Sequence, residues 1–398
     1  MDARTAVAPL TSPAFRRYMA GQLPSVTCSW AQVVALSWVV IGLDRQALGW
    51  VVALQFVPSL VVGPWFGAIA DRHDRRRLLM LAEAGLGLVA AAYASASAAG
   101  ALTMPLIYVL ATAWGVINAL DTPARRALQP MLVRPEQAAS AAALAGIVLL
   151  GGMTAGSALG GALVATAGAA VAFAVNAASF LADVVVLASI KPGKSAVVRR
   201  APGQVSEGIR YVWHTPVLRA PLLALAVTAT LAFSVQVSAP TLVRVSFAGG
   251  ASAIGTALTA VTAGGLVGAV AAAARGAPGQ LALPRAALIM GGSMVVTATS
   301  PSLPGALAGL ALSGFAWSLF LASVIAILQT AESPMLGRVM SLFAVILLGG
   351  NAMGGPIASF LATAIGPRAP FVLGAAAAAA AAGISLARQT SSERPGSC

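Results

Sequence analysis

Charged residues are scarce in this sequence. Asp, Glu, Lys and Arg make up 9% of its 398 residues, which is about a third of their share in a typical soluble domain. Hydrophobic residues reach 59%. Apolar runs of about twenty residues recur along the chain, and each is long enough to cross roughly 30 Å of hydrocarbon as a helix. The composition therefore excludes an ordinary soluble domain and predicts an all-α membrane protein.

Cysteine and histidine are also rare, with two residues of each: Cys28, Cys398, His73 and His214. Cys28 falls within a predicted span and Cys398 is the last residue, so we expect no disulfide bond. The two histidines lie in polar connections without the spacing of a metal site. The sequence also has no phosphate-binding Gly-Lys-Ser/Thr loop and no evident pair of nucleophile and base. We therefore expect a protein that is not an enzyme and binds no cofactor or metal.

The apolar runs predict twelve transmembrane helices. Their lengths allow some tilt in the bilayer. The predicted spans are 15–42, 47–70, 78–98, 103–121, 138–166, 168–190, 217–244, 252–274, 284–300, 303–331, 338–365 and 367–388.

Basic residues are distributed unevenly between the two sides of this arrangement. If both termini are cytoplasmic, only Arg45, Arg244 and Arg368 of the 24 Lys and Arg residues lie outside. The positive-inside rule requires this asymmetry. We therefore predict a membrane protein with both termini in the cytoplasm and an even number of spans. Topology also explains the net charge of +13, so we expect no nucleic-acid partner.

The longest polar segment, 191–216, lies in the middle of the chain and follows six predicted spans. It predicts a division into an N-terminal half (1–190), a cytoplasmic linker (191–216) and a C-terminal half (217–398). Within the linker, residues 204–214 predict a short interfacial helix, since Val205, Ile209 and Val212 fall on one face.

An internal repeat supports two halves. The segment "IVLLGGMTAGSALGGALVATAG" (147–168) aligns with "VILLGGNAMGGPIASFLATAIG" (345–366), and "PMLVR" (130–134) with "PMLGR" (334–338). Predicted span 5 thus corresponds to span 11. Chance similarity between two helices rich in Gly and Ala is the alternative explanation. Two parallel six-helix halves are the plan of many secondary transporters, whose substrate site lies between the halves.

A cluster of charges interrupts the apolar sequence between spans 2 and 3, in "GAIADRHDRRRLL" (67–79). This stretch resembles the signature of the major facilitator superfamily, in which a glycine is followed by Asp-Arg and then a basic pair. Asp74 stands where that signature usually has a second glycine. The matching residues are Gly67, Asp71, Arg72, Arg75 and Arg76.

The resemblance implies a gating latch on the cytoplasmic side. Asp71 would contact the start of span 11 near Arg338, where the helix N-terminus carries partial positive charge. Arg75 or Arg76 would pair with Asp121 at the end of span 4. Gly67 would allow a close approach between helices. The alternative for the arginines is a simple positive-inside anchor.

Span 5 carries a second resemblance. Its spacing of small residues resembles the antiporter motif of the same superfamily, although Ser157 replaces the usual proline. In the aligned part of span 11 a Gly-Pro pair is present. Plain helix packing is the alternative explanation, because small residues at this spacing are common in membrane bundles. The residues of this helix-packing motif are Gly152, Gly156, Gly160, Gly161, Gly355 and Pro356.

Three further phrases, "TSPAFRRYMAGQ", "DTPARRALQPMLVRPEQAASAAAL" and "ESPMLGRVMSLF", are similar to the twelve-span drug:proton antiporter branch. This branch includes macrolide efflux proteins and the enterobactin exporter. The resemblance implies a monomeric transporter in the lipid bilayer. It would export a small, largely apolar compound, such as a drug, siderophore or secondary metabolite, driven by the proton gradient. The alternatives are a metabolite importer on the same fold and a non-transporting lipid-handling or scaffold protein.

In such an architecture spans 1, 4, 7 and 10 line the substrate cavity. Amide and aromatic side chains in these spans predict an apolar cavity with a few hydrogen-bonding groups. Bonds between neighbouring helices are the alternative role, above all for serines. The candidate cavity residues are Gln22, Ser25, Ser29, Gln32, Trp114, Asn118, Ser234, Gln236, Trp317 and Phe320.

Proton coupling requires an ionisable group within the membrane. Asp183 is the only acid well inside a predicted span, and Glu83 lies nearer the cytoplasmic end of span 3. Asp44 lies at the outer end of span 1. These three acids are the candidates. A structural role, paired or protonated inside the bundle, is the alternative for Asp183.

Overall fold

The computed structural model describes residues 7–190, 204–232, 234–276, 279 and 281–392. It does not describe the side chains of residues 64, 71, 204–206 and 388–392. Cys398 and residues 191–203 of the predicted linker lie outside the described residues. The regular elements within these ranges are helices, as the composition predicts.

The first six long helices match the first six predicted spans. Most boundaries agree within three residues, but the fourth helix continues seven residues beyond its predicted end at 121. The helices are α1 (Pro13–Leu43), α2 (Ala47–Arg72), α3 (Arg75–Ala98), α4 (Met104–Leu128), α5 (Ala138–Ala167) and α6 (Ala169–Ser189).

Eight helices follow. The short helix predicted over 204–214 is present with these bounds, whereas the span predicted over 217–244 is interrupted between residues 231 and 235. They are α7 (Gln204–His214), α8 (Pro216–Leu231), α9 (Val235–Ser246), α10 (Ala251–Arg275), α11 (Ala282–Thr299), α12 (Leu303–Leu328), α13 (Ser333–Ala364) and α14 (Ala369–Ser392).

Length and composition allow most of these helices to cross a membrane. In the described residues, 11 helical segments are sufficiently long and apolar, with α8 and α9 counted as one span. The described apolar part of α2, Ala47–Gly63, is a shorter segment. Together they account for the twelve predicted spans.

Residue contacts divide the chain into two compact units. The first unit comprises residues 1–47, 54–200 and 249–259, and the second comprises 48–53, 201–248 and 260–398. This division differs from the predicted halves, 1–190 and 217–398, in the short segments 48–53 and 249–259. The bounds of the predicted halves therefore stay a prediction.

Side-chain caps explain where two helices begin. The Ser12 hydroxyl accepts a hydrogen bond from the Phe15 amide at 3.4 Å at the start of α1. Asp74 Oδ1 accepts hydrogen bonds from the Arg76 amide at 2.9 Å and the Arg77 amide at 3.2 Å. An N-cap aspartate satisfies amides that otherwise have no partner in the helix. The residue that replaces the second glycine of the superfamily signature therefore starts α3.

The internal repeat has a structural counterpart in each unit. A Cβ atom at Gly152 would lie 2.8 Å from Val26, and one at Gly156 would collide with the Thr27 carbonyl oxygen, both on α1. In the second unit, a Cβ atom at Gly350 would lie 2.7 Å from Ala229 on α8. The aligned glycines therefore allow equivalent close helix contacts, α5 with α1 and α13 with α8.

The remaining residues of the helix-packing motif also lie in helices. Gly160 packs against the backbone of Ala31 on α1. Gly161 and Gly355 are buried, and Pro356 lies inside α13. The glycines thus have a packing role, whereas the antiporter reading of the motif stays a prediction.

The contact between α5 and α1 leads to a prediction. Gly156→Leu is expected to lower the free energy of unfolding by about 1–3 kcal/mol, because the new side chain must displace α1. Gly151→Leu is the matched control, since a Cβ atom at Gly151 meets no described atom within 4 Å. Thermal unfolding in detergent compares the two variants. Equal melting temperatures would show that the close contact does not exist in solution.

Candidate functional site

Four charged side chains from three helices meet inside the first unit. Arg125 of α4 lies at their centre, and its NH2 atom contacts Glu83 Oε1 of α3. The same atom lies 3.1 Å from Asp121 Oδ1 and 3.7 Å from Asp183 Oδ2 of α6. We call these four residues the charge cluster.

Local geometry places each member of the cluster. Asp121 and Arg125 are one helical turn apart, so they share a face of α4, and Arg125 Nε donates to Asp121 Oδ2 at 3.2 Å. Asp183 faces α1 at Gly21, where a Cβ atom would collide with Asp183 Oδ1. A glycine at this position therefore provides the space for the carboxylate.

The charge cluster is buried and incompletely hydrogen-bonded. Glu83 and Asp183 are 1% and 0% exposed. Among the described residues, no hydrogen bond reaches Glu83 Oε2, Arg125 NH1 or either oxygen of Asp183. A buried polar atom without a partner costs about 1–3 kcal/mol, and more if it is charged. Such a concentration of unpaired atoms marks the cluster as a candidate functional site rather than a simple structural ion pair.

Three carboxylates in one place also raise the question of a metal. The described residues contain no group of three or more His, Cys, Asp or Glu with the arrangement of a metal site. The position between the three acids is taken by the guanidinium of Arg125.

Apolar side chains lie between the charge cluster and the nearer ends of its helices, and we call them the apolar layer. Phe15, Leu79, Leu128 and Leu187 are fully buried and belong to one hydrophobic core. Leu79, Leu128 and Leu187 each lie about one turn from a member of the cluster, toward the end of the same helix. Tyr18, one turn beyond Phe15, lies beside Arg125. On the predicted topology, this layer is on the cytoplasmic side of the cluster.

Polar side chains lie on the opposite side of the cluster, between α1 and α6. Asn176 Nδ2 donates to Gln32 Oε1 at 2.9 Å, and the Ser29 hydroxyl donates to Asn176 Oδ1 at 3.3 Å. Gln22 and Ser25, on the same face of α1, are also buried. Ser29 and Gln32 therefore join α1 to α6. A cavity role for these four residues of α1 stays a prediction.

The aromatic and amide candidates of α4 have different surroundings. Trp114 packs against the hydrophobic cluster of Leu86, Ala90 and Phe180 inside the first unit. Asn118 is half-buried. Trp114 therefore contributes to packing within the unit, and a cavity role for Asn118 stays a prediction.

The second unit holds the remaining cavity candidates. Trp317 and Phe320 stack with ring centroids 5.9 Å apart and belong to the main hydrophobic core of this unit. Gln236 is half-buried in α9. The Ser234 hydroxyl lies at the interruption between α8 and α9, buried and without a hydrogen bond among the described residues. A cavity role for all four residues, Ser234, Gln236, Trp317 and Phe320, stays a prediction.

The predicted pairing of Arg75 or Arg76 with Asp121 is not the one found. Asp121 pairs with Arg125, because α4 continues past the predicted end of the span. Arg76 Nε instead donates to the Leu187 carbonyl at 2.7 Å, and its NH2 atom donates to the next carbonyl, at the end of α6. Cations are favourable at this negative end of a helix. Arg75 NH1 contacts Met131 Sδ at 3.3 Å.

Each of the other residues of the predicted latch has its own surroundings. A Cβ atom at Gly67 would meet no described atom within 4 Å, so the expected close helix approach is not made there. Arg72 is exposed at the end of α2. Arg338 NH1 lies 2.8 Å from Glu207 Oε1, which connects α13 to α7. The side chain of Asp71 lies outside the described part of the chain, so its latch role stays a prediction.

The structure brings together two of the three proton-coupling candidates, Glu83 and Asp183. Asp44 is exposed at the far end of α1, where its Oδ1 accepts from the Gln46 amide at 2.8 Å. Sequence reasoning missed Arg125, since the predicted span ended at residue 121. The available signal was the spacing of Asp121 and Arg125 in "DTPARR", which fits one turn of a continuing helix.

Comparison with solved structures identifies the fold. A bacterial homologue of the human lysosomal transporter Spinster, in an inward-facing and occupied conformation, superposes with a TM-score of 0.77. The match covers 98% of this chain and 99% of that one at 14% identity. At this identity the likeness shows the fold alone. It confirms the major facilitator architecture of twelve helices in two parallel six-helix halves.

Sequence relatives extend the comparison. The multidrug efflux pump Tap of Mycolicibacterium fortuitum is 26% identical over 361 residues, which cover 85% of this chain and 87% of the pump. The staphyloferrin A transporter of Staphylococcus aureus is 34% identical over 107 residues, 26% of this chain and 27% of the transporter. Residues 4–393 match the family described as transmembrane secretion effectors. The chain therefore belongs to the transmembrane secretion effector family of the major facilitator superfamily.

Proposed function

We propose that the protein is a secondary active transporter that exports a small, largely apolar organic compound in exchange for protons. It would lie in the bacterial inner membrane with both termini in the cytoplasm. Support for export comes from the efflux pump Tap, which is similar over most of both chains. The buried charge cluster is the observation that supports proton coupling.

The balance of charge explains why the charge cluster would exchange protons. One guanidinium faces three carboxylates, so full ionisation would leave an excess of two negative charges. Burying charges that lack a counter-ion costs several kcal/mol. Protons that bind to the carboxylates remove this cost. Small changes in the surroundings of the cluster alter how many protons it binds. Acids inside membrane spans commonly serve as proton relays for this reason.

Asp183 is the member best suited to exchange a proton. Its Oδ2 atom lies 3.7 Å from Arg125 NH2, whereas Asp121 Oδ1 lies at 3.1 Å and Glu83 is nearer still. Neither oxygen of Asp183 accepts a hydrogen bond from the described residues. Of the three carboxylates, Asp183 thus has the longest contact with the guanidinium.

We infer that access to the site is asymmetric. The apolar layer covers the cluster toward the predicted cytoplasmic ends of the helices. The buried side chains of Gln22, Ser25 and Asn176 continue from the cluster in the opposite direction. Protons would therefore enter from the outer side in this state. Another state, in which the layer is open, would release them to the cytoplasm. Antiport requires such alternation between the two sides of the membrane.

The test is flux in inverted membrane vesicles that contain the protein. Ethidium is the probe, with and without a proton gradient. Export in the cell corresponds to accumulation inside these vesicles. We expect accumulation that needs the gradient, stops with an uncoupler and does not occur in vesicles from cells with empty vector. Accumulation that persists after uncoupling would contradict proton antiport. Equal ethidium accumulation in these vesicles and in the empty-vector vesicles would contradict export of organic cations.

A further inference from the structure

A cavity of about 590 Å³ lies in the second unit, among α10, α11 and α12. Two arginines line it, Arg275 at the end of α10 and Arg285 in α11. Apolar side chains, among them Ile289, Leu319 and Ala326, form the rest of its wall. The cavity thus combines paired positive charge with an apolar surface.

Acidic side chains are absent from the described lining of this cavity. The whole segment from Gly208 to Ala331, which includes α8 to α12, contains no acidic residue. Guanidinium groups bind phosphate oxygens through paired hydrogen bonds. Two arginines that face one cavity without an acid therefore favour a phosphate-bearing ligand.

The apolar surroundings indicate what else this ligand carries. Val267 and Val270 on α10 are more than half exposed, as is Leu288 on α11. These residues belong to candidate membrane spans, so their exposed faces fit the hydrocarbon of the bilayer. Ile289 lines the cavity and is itself 39% exposed. An apolar surface therefore adjoins the arginines, as the acyl chains of a lipid require.

The predicted topology places this site at the inner leaflet. Helix α10 ends, and α11 begins, on the side where most Lys and Arg residues lie. Basic pockets between membrane helices on this side bind the headgroups of anionic lipids. The location, the charge and the adjoining apolar surface thus all favour an anionic lipid as the ligand.

We propose that this cavity binds the headgroup of an anionic glycerophospholipid from the inner leaflet. Arg275 and Arg285 hold its phosphate, and the acyl chains lie along the exposed faces of α10 and α11. The site is separate from the charge cluster, since all residues involved belong to the second unit. The proposal rests on the predicted topology and does not depend on the exported compound or on proton coupling.

Thermal unfolding of the full-length protein in a neutral detergent tests the proposal. Phosphatidylglycerol is the anionic probe, phosphatidylethanolamine is the zwitterionic lipid, and inorganic phosphate represents a free anion. We expect phosphatidylglycerol alone to raise the melting temperature at low lipid concentration. In Arg275→Gln/Arg285→Gln its half-saturating concentration should rise about thirtyfold, the equivalent of about 2 kcal/mol for two guanidinium groups.

The matched control is Arg16→Gln/Arg210→Gln. It removes the same charge from two exposed residues on the same predicted side of the membrane. This control should keep the response of the wild type. A second variant, Ala326→Phe, fills the cavity but leaves both arginines in place, and it should weaken the response to phosphatidylglycerol. This variant also provides a test that does not depend on the folding of the arginine variant.

Three outcomes would overturn the proposal. The first is equal stabilisation by both lipids, which would exclude recognition of a negative headgroup. The second is equal stabilisation by inorganic phosphate, which would identify a soluble anion as the ligand. The third is an unchanged response in both the arginine variant and Ala326→Phe, which would place lipid binding elsewhere.

Discussion

Arg125→Gln is expected to lower the free energy of unfolding by about 3–5 kcal/mol, since it leaves buried charges without a counter-ion. Glu83, Asp121 and Asp183 would then face one another without the cation that now contacts all three. We expect a strong loss of folded protein in the membrane and a lower melting temperature in detergent. Size-exclusion chromatography and thermal unfolding measure both effects.

The neighbouring residue provides the matched control for this variant. Arg126 is exposed, so Arg126→Gln should change stability by less than about 0.5 kcal/mol. Adding Asp183→Asn to Arg125→Gln should restore part of the lost stability, because it removes one of the unpaired charges. Equal stability of Arg125→Gln and Arg126→Gln would show that Arg125 does not neutralise the cluster.

Asp183→Asn is expected to abolish accumulation driven by the proton gradient, because an amide cannot take up the proton. The substitution keeps the size of the side chain and removes one negative charge from the cluster, so the protein should still fold. Substrate should still move down its own concentration gradient. Flux in inverted vesicles, measured with and without an imposed pH gradient, distinguishes these two activities.

Glu136→Gln is the control for this second prediction. It removes an exposed acid on the same predicted side of the membrane and should leave both activities unchanged. Loss of downhill flux in Asp183→Asn would indicate a structural role for the acid instead. Full gradient-driven accumulation in that variant would exclude Asp183 as the coupling group.

Much of the fold could be predicted from the sequence because the bounds of membrane helices depend mainly on nearby residues. Continuous apolar runs and polar caps predicted most helix boundaries within three residues, and the spacing of Ile209 and Val212 predicted the short helix α7. The interruption between α8 and α9 could not be predicted. It lies inside a continuous apolar run, where composition does not distinguish one long helix from two short ones.

Less of the charge cluster could be predicted from the sequence. A span is usually ended at the first charged residues, so Asp121 marked the end of span 4 and Arg125 was assigned to a loop. The longer helix can bury Arg125 because this residue pairs with Glu83 and Asp183. These two partners come from distant parts of the chain. Likewise, helical spacing predicted that Ser29 and Gln32 share a face, but not that this face meets Asn176 of α6.

If the charge cluster carries protons as proposed, the apolar layer has a consequence for the energy balance of the cell. A proton-binding site inside the membrane becomes a leak whenever it is open to both sides, and each leaked proton dissipates membrane potential. Phe15, Leu79, Leu128 and Leu187 close one side through packed hydrocarbon, which offers no hydrogen-bonded path for a proton. On the proposed function, the layer would act as an electrical insulator in this state. A cell could therefore keep the protein in its membrane at little energetic cost while no substrate is being moved.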